Sequence, residues 1–232
     1  MRIIAIIAML VFVAGSAVAA ERKPIEEVDA DALASDTQAT PAGAGDKHAS
    51  LTWWIPHEFW QSVLARDPSV SAADKKAILD ALEPVSLLAV VQADISPLGA
   101  FHFYGKDEVQ STMVVTFDDA NSRSQRLSPM QSVGADLAVL LEVLKPLLGA
   151  ALGNMGANMH FYVFDDRAPG AGRQLDPYEP VRLSIQLRKR NGDLMTARVE
   201  LPINALFVPR LCSDGREAHV TWNYCPWTGE RL

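Results

Sequence analysis

Two segments of the chain end in the same three residues, Val115-Thr116-Phe117-Asp118-Asp119 and Tyr162-Val163-Phe164-Asp165-Asp166. On parallel, adjacent strands, Asp118, Asp119, Asp165 and Asp166 would converge, and such a cluster needs a hard cation such as calcium to offset its repulsion. On antiparallel strands the pairs go to opposite edges, where Asp serves turn formation at a strand exit. Acid–base chemistry would fall to His57, which adjoins Glu58, or to His102; His48, His160 and His219 are scattered. No G-x-S-x-G elbow, H-E-x-x-H pair or glycine-rich phosphate loop is present. A hydrolase would therefore have to gather its His and carboxylate groups through the fold. Met155, Met159 and His160 are copper-type donors, but Met159 and His160 point to opposite faces of a strand, and methionine is an ordinary core filler. No cofactor is expected.

Aromatic residues crowd the stretch Trp53, Trp54, Phe59 and Trp60. Trp53 and Trp60, seven apart, could share a helical face in the core. Trp54 would then point elsewhere, and if exposed it is a candidate binding residue, as are His57 and His102, because tryptophan is enriched at binding hot spots.

The cysteines are Cys212 and Cys225, both near the C-terminus. In an oxidising compartment an isolated pair forms a disulfide, worth about 3 kcal/mol for a loop of this size. The surrounding sequence reads Cys212-Ser213-Asp214-Gly215-Arg216 and then Trp222-Asn223-Tyr224-Cys225-Pro226-Trp227-Thr228-Gly229. This segment resembles a degenerate zinc ribbon. Cys212 and Cys225 match the first cysteine of each knuckle, while Gly215 and Thr228 stand where the second cysteines would be. The resemblance implies that a Cys212–Cys225 disulfide has replaced the metal, because two thiolates alone make a poor tetrahedral zinc site.

The N-terminus predicts export. Arg2 is followed by an apolar run from Ile3 to Ala14 and by the small residues Gly15 to Ala20, the three parts of a signal peptide cut before Ala20 or Glu21. The competing reading is an uncleaved anchor, since Ile3 to Ala20 could just span a bilayer. No transmembrane segment is expected once the signal is removed. The chain carries 21 basic against 28 acidic residues, a net charge of −7; removing Arg2 with the leader makes it −8. An acidic protein without a basic cluster is suited neither to nucleic acid nor to anionic lipid surfaces.

These residues have to be positioned by a single domain. Residues 21–50 contain one Val, one Leu, one Ile and no aromatic residue, which predicts a flexible linker. Helices are expected from Pro56 to about Arg66, over 72–82 behind a Ser71/Asp74 cap, and after Ser132 along a stripe of Leu137, Leu140, Leu141, Leu144 and Leu148. Strands are expected over 87–95, 100–104, 112–117 and 159–164. The clearest element is a hairpin over 181–201, whose alternation predicts an Arg190-Asn191-Gly192 loop, with Leu187 opposite Met195, Ile185 opposite Ala197 and Arg182 opposite Glu200. The fold class is α+β: a mainly antiparallel sheet with helices packed on one face, spanning 51–209, and a disulfide-closed segment over 210–232.

With no catalytic motif visible, the leading expectation is an exported, non-catalytic binding or protein-interaction module of the cell envelope, periplasmic or secreted, whose partner is another envelope protein. The alternatives are an extracytoplasmic hydrolase and a calcium-binding module.

Overall fold

The computed structural model describes residues 20–118, 123–150, 153–168 and 172–232. The expected leader, apart from Ala20, lies outside these residues, as does Asp119. The fold is α+β, with mainly antiparallel sheets in one body. A five-stranded sheet is built around the long strand β3 (Val85–Ile95), with β2 (His48–Ile55) along one side and β1 (Gln38–Ala39) beyond it. The other side of β3 is shared by β4 (Phe101–Phe103) and β7 (His160–Asp165). A second sheet orders β11 (Leu194–Glu200), β10 (Arg182–Arg188), β5 (Val114–Asp118) and β6 (Ser124–Leu127). Two-residue ribbons pair β8 (Arg167–Ala168) with β9 (Gly172–Arg173), and β12 (Arg210–Leu211) with β13 (Glu217–Ala218).

Strand β3 reads as an almost unbroken apolar run because both its faces are covered. On one face lie helices α1 (Ala30–Thr37) and α2 (His57–Arg66): Trp53 donates from Nε1 to Thr37 Oγ1 at 3.2 Å and meets the Phe59 ring edge to face at 5.2 Å. Helix α5 (Ala135–Ala150), followed by α6 (Gly153–Ala157), lies against the same sheet and contacts α3 (Ala72–Leu82). The other face meets the second sheet, where Gln92 Nε2 donates to the Arg188 carbonyl at 2.9 Å. Leu183, Ile185, Leu187, Met195, Ala197 and Val199 of the second sheet are buried, and its intervening polar residues face outward.

The hairpin has the register its alternation predicts: Arg182 faces Glu200, Leu183 Val199, Ile185 Ala197 and Leu187 Met195. Gly192 closes the loop at φ +95°, a conformation that favours glycine. The α3 cap also holds, with Ser71 Oγ accepting from Asp74 N at 3.2 Å.

The expectation of a flexible linker over 21–50 is corrected. This segment forms α1 and β1, and its few apolar residues are well used: Val28 and Leu33 are fully buried. Acidic side chains that suggested disorder are structural. Asp29 Oδ1 accepts from Asp31 N at 2.9 Å as the α1 N-cap, and Asp36 Oδ2 accepts from Ala205 N at 2.9 Å. Three further elements differ from expectation. Helix α4 (Lys106–Thr112) replaces the start of the strand expected at Thr112. Strand β6 lies between the strand expected over 112–117 and the helix expected after Ser132, where no element was expected, and α5 begins at Ala135, three residues beyond Ser132. No helix among the described residues is long and apolar enough to cross a membrane.

Candidate functional site

Trp54 cannot act as an exposed anchor. It lies within β2, between helices and second sheet, and is 1% exposed. His57 opens α2 half-buried, and burial pushes it below the usual histidine range, against the opposing charge of Glu58. Glu58 is not a free partner for it, because Glu58 Oε1 accepts from Arg173 Nη1 at 2.7 Å. Arg173 Nε also donates to Asp166 at 3.1 Å, making a Glu58–Arg173–Asp166 bridge that ties α2 to the segment after β7. His102 sits exposed on β4; its backbone carbonyl, not its ring, accepts from Arg190. The two histidines are thus not gathered with free carboxylates.

Asp118 does not share a sheet with Asp165 and Asp166 either. Asp118 closes a strand of the second sheet, opposite Arg182, whereas Asp165 closes β7 of the first. Asp165 is chelated by Arg167, whose side chain and backbone N–H hold it down to about 2. Asp166 is buried and accepts from Ser86 Oγ, Leu175 N and Arg173. Among the described residues no group of His, Cys, Asp or Glu is placed to hold a metal ion. The convergence that the calcium expectation required is not found among the described residues: Asp118 and Asp165 end strands of different sheets, and Asp165 and Asp166 are engaged by arginine and backbone.

A different acid–base pair emerges. His48, which sequence placed in the linker, donates from Nδ1 to Asp94 Oδ1 at 2.9 Å across β2 and β3. Tyr104 donates its hydroxyl to the same oxygen at 3.1 Å and accepts from Arg190 N at 2.9 Å. The Arg190 guanidinium stacks 4.0 Å over the Tyr104 ring and grips Glu108 at 2.7 and 2.9 Å and Asp94 at 3.1 Å. The register puts Ser50, opposite Gln92, on the same face as His48. A Ser, His and Asp thus lie close in the fold, but His48 Nε2 and Ser50 Oγ are both enclosed and neither hydrogen-bonds to the other. A nucleophile–base pair needs that bond and a path for substrate. The geometry instead fastens the hairpin tip to β3, β4 and α4.

The most distinctive surface is the C-terminal knob, residues 210–232. It has its own small core of Cys212, Ala218 and Cys225, and the two cysteines form a disulfide. Two similar turns flank it. In the first, Gly215 N–H donates to the Cys212 carbonyl at 2.9 Å, with Gly215 at φ +82°. In the second, Gly229 N–H donates to the Cys225 carbonyl at 2.9 Å, with Gly229 at φ +73°, and Thr228 N–H points to Cys225 Sγ at 3.4 Å. A core this small leaves aromatic residues outside. Trp222 is 38%, Tyr224 61% and Trp227 46% exposed. Trp222 and Trp227 meet edge to face at 5.8 Å, and Arg216 lies 4.3 Å over Trp227, held in place by Asp214 at 2.8 Å. The knob joins the body through Val220 N, which donates to Asn204 Oδ1 at 2.8 Å, while Arg210 braces it from within by donating to the Val220 and Trp222 carbonyls. Close by, Lys23 N donates to the Leu206 carbonyl and Val208 N to the Glu21 carbonyl, so the residues after the expected leader run beside the segment entering the knob.

Sequence reasoning singled out these cysteines but not Trp222, Tyr224 and Trp227 as a surface. The available signal was aromatic density in a segment too short to bury it. No family model, curated protein or solved structure matches the chain.

Proposed function

We propose that this chain is an exported, non-catalytic protein-interaction module of the cell envelope, periplasmic or secreted, which engages another envelope protein through the aromatic face of its C-terminal knob. One observation carries the reading: Trp222 and Trp227 are packed edge to face, part-exposed and held on a disulfide-closed scaffold, with Arg216 fixed over one ring. Exposed aromatic clusters of this kind mark interaction sites, and tryptophan and arginine dominate binding energy. Their side chains lose little conformational freedom on binding, because the edge-to-face contact already orients them. The paired turns around Cys212 and Cys225 also support descent of the knob from a zinc ribbon in which the disulfide took over the metal's place. The disulfide supports an oxidising compartment.

The test is crosslinking of the mature protein in envelope extracts, with wild type compared against the Trp222→Ala/Trp227→Ala double variant. A partner that is captured by the wild type, lost with the double variant and rebinds the wild-type chain when purified supports the reading. Equal capture by both forms, or no partner at all, overturns it.

A further inference from the structure

Helix α5 is markedly apolar, yet it is not sealed onto the sheet. Leu137 is buried, while Leu140, Leu141 and Leu144 are only half-buried and Val139 and Val143 are exposed on the opposite face. Between the end of α5, α6 and the start of β7 lies a cavity of about 560 Å³, lined chiefly by Lys145, Pro146, Ala157, Met159, His160 and Phe161. A neighbouring cavity of about 250 Å³ shares Lys145 and Phe161 with it. The larger volume falls in the usual range for a small-molecule site, where an apolar lining is combined with a few polar groups.

Its charge selects the occupant. The chain is acidic overall, with net charge −7, yet among the described residues lining the larger cavity none is acidic and the one permanent charge is Lys145. The lysine's ion pair with Glu142 is long, at 3.4 Å, and exposed, so it holds the ammonium weakly. His160 is oriented rather than free to turn, because its Nε2 donates to the Tyr104 carbonyl at 2.8 Å. A cationic ligand would face Lys145 unfavourably. A neutral apolar one would partly desolvate the ammonium and leave it only the long, exposed contact with Glu142.

We propose that this cavity binds an amphiphilic monoanion: an apolar, acyl-type body on the Met159–Phe161 floor, with one carboxylate head at Lys145. The site is separate from the knob and independent of its role.

Calorimetric titration of the full mature chain with decanoate, and with decyltrimethylammonium as a probe of equal length and opposite charge, tests this. Decanoate should bind at one equivalent, at least about tenfold more tightly than the cation. Ala157→Trp, at an exposed position on the cavity wall, should abolish binding without lowering the melting temperature. Lys145→Met should weaken decanoate about tenfold, the loss of one charge-assisted hydrogen bond, and it keeps the test open if the tryptophan variant does not fold. Trp222→Ala/Trp227→Ala should leave the titration unchanged. No binding of decanoate, equal binding of the two probes, or binding that survives both cavity variants would overturn the proposal.

Discussion

His48 Nδ1 lies 2.9 Å from Asp94 Oδ1, joining the first residue of β2 to its cross-strand partner on β3. Burial pushes the Asp94 carboxyl up, but hydrogen bonds from His48 and Tyr104, with the charges of His48 and Arg190, outweigh it and hold the group below its ordinary value of 3.8. A carboxylate with a depressed folded-state pKa contributes stability above its unfolded value and loses it as pH falls through the folded one. Asp94→Ala should therefore cost about 2 kcal/mol at neutral pH, mostly by stranding the Tyr104 hydroxyl, His48 Nδ1 and one arm of Arg190. Urea unfolding across pH should show the gap to wild type closing in acid; a gap of constant size would contradict this account.

His57 predicts a second pH dependence, at higher pH. Burial pushes it below its ordinary value of 6.5, with Glu58 opposing. The unfolded chain then binds the proton more readily than the folded one, so stability is fully present above pH 6.5 and declines as pH drops below it. His57→Gln should flatten this limb while leaving the Asp94-dependent loss at lower pH in place. Unfolding free energies measured from pH 7.5 to 5 check it, and identical slopes in the two proteins would refute it.

How far these features could be read from sequence depended on the separation of their parts. The β10–β11 register was legible because alternation, one glycine and an Arg182–Glu200 pair all lie within 20 consecutive residues. Helices α1 and α4 were not: Leu33 alone carries the core of α1 and Val109 that of α4, so neither shows a periodic stripe. Trp54 is buried although helical spacing sets it apart from Trp53 and Trp60, because it sits on a strand covered on both faces. The His48–Asp94 pair spans 46 residues and exists only through sheet register, which no local pattern encodes. The knob's aromatic surface could have been inferred, since 23 residues closed by one disulfide cannot bury three large rings.

The Glu58–Arg173–Asp166 bridge offers a test of how the segment after β7 is held. Glu58 and Asp166 are buried and meet only one guanidinium. Removing the arginine leaves two carboxylates with little solvent and no cation, a change that costs about 3–5 kcal/mol where a buried pair is broken from one side. Arg173→Met should destabilise the protein by about 3 kcal/mol in urea unfolding, whereas Glu58→Gln, which keeps an acceptor for Arg173, should cost clearly less. Comparable losses from the two substitutions would show that the bridge does not act as a charge-balanced unit.

The disulfide predicts local rather than global loss. Cys212 and Cys225 pack with Ala218 in a cluster separate from the main core, and Val220 meets the body by packing against that core and donating to Asn204 Oδ1. Its own apolar burial is too small to hold it folded, and closure of a loop of this length stabilises by about 3 kcal/mol. Cys212→Ser/Cys225→Ser should therefore release residues 210–232 while the two sheets keep their cooperative transition. Amide exchange should show protection lost in the knob, including the Cys225 N–H that bonds the Glu230 carbonyl, and retained along β3 and β10. The Trp222–Trp227 pair should separate at the same time, abolishing partner capture in a protein whose main melting transition is unchanged. A variant that loses the whole fold, or one that keeps the knob protected, would show that the disulfide is not what holds this surface in place.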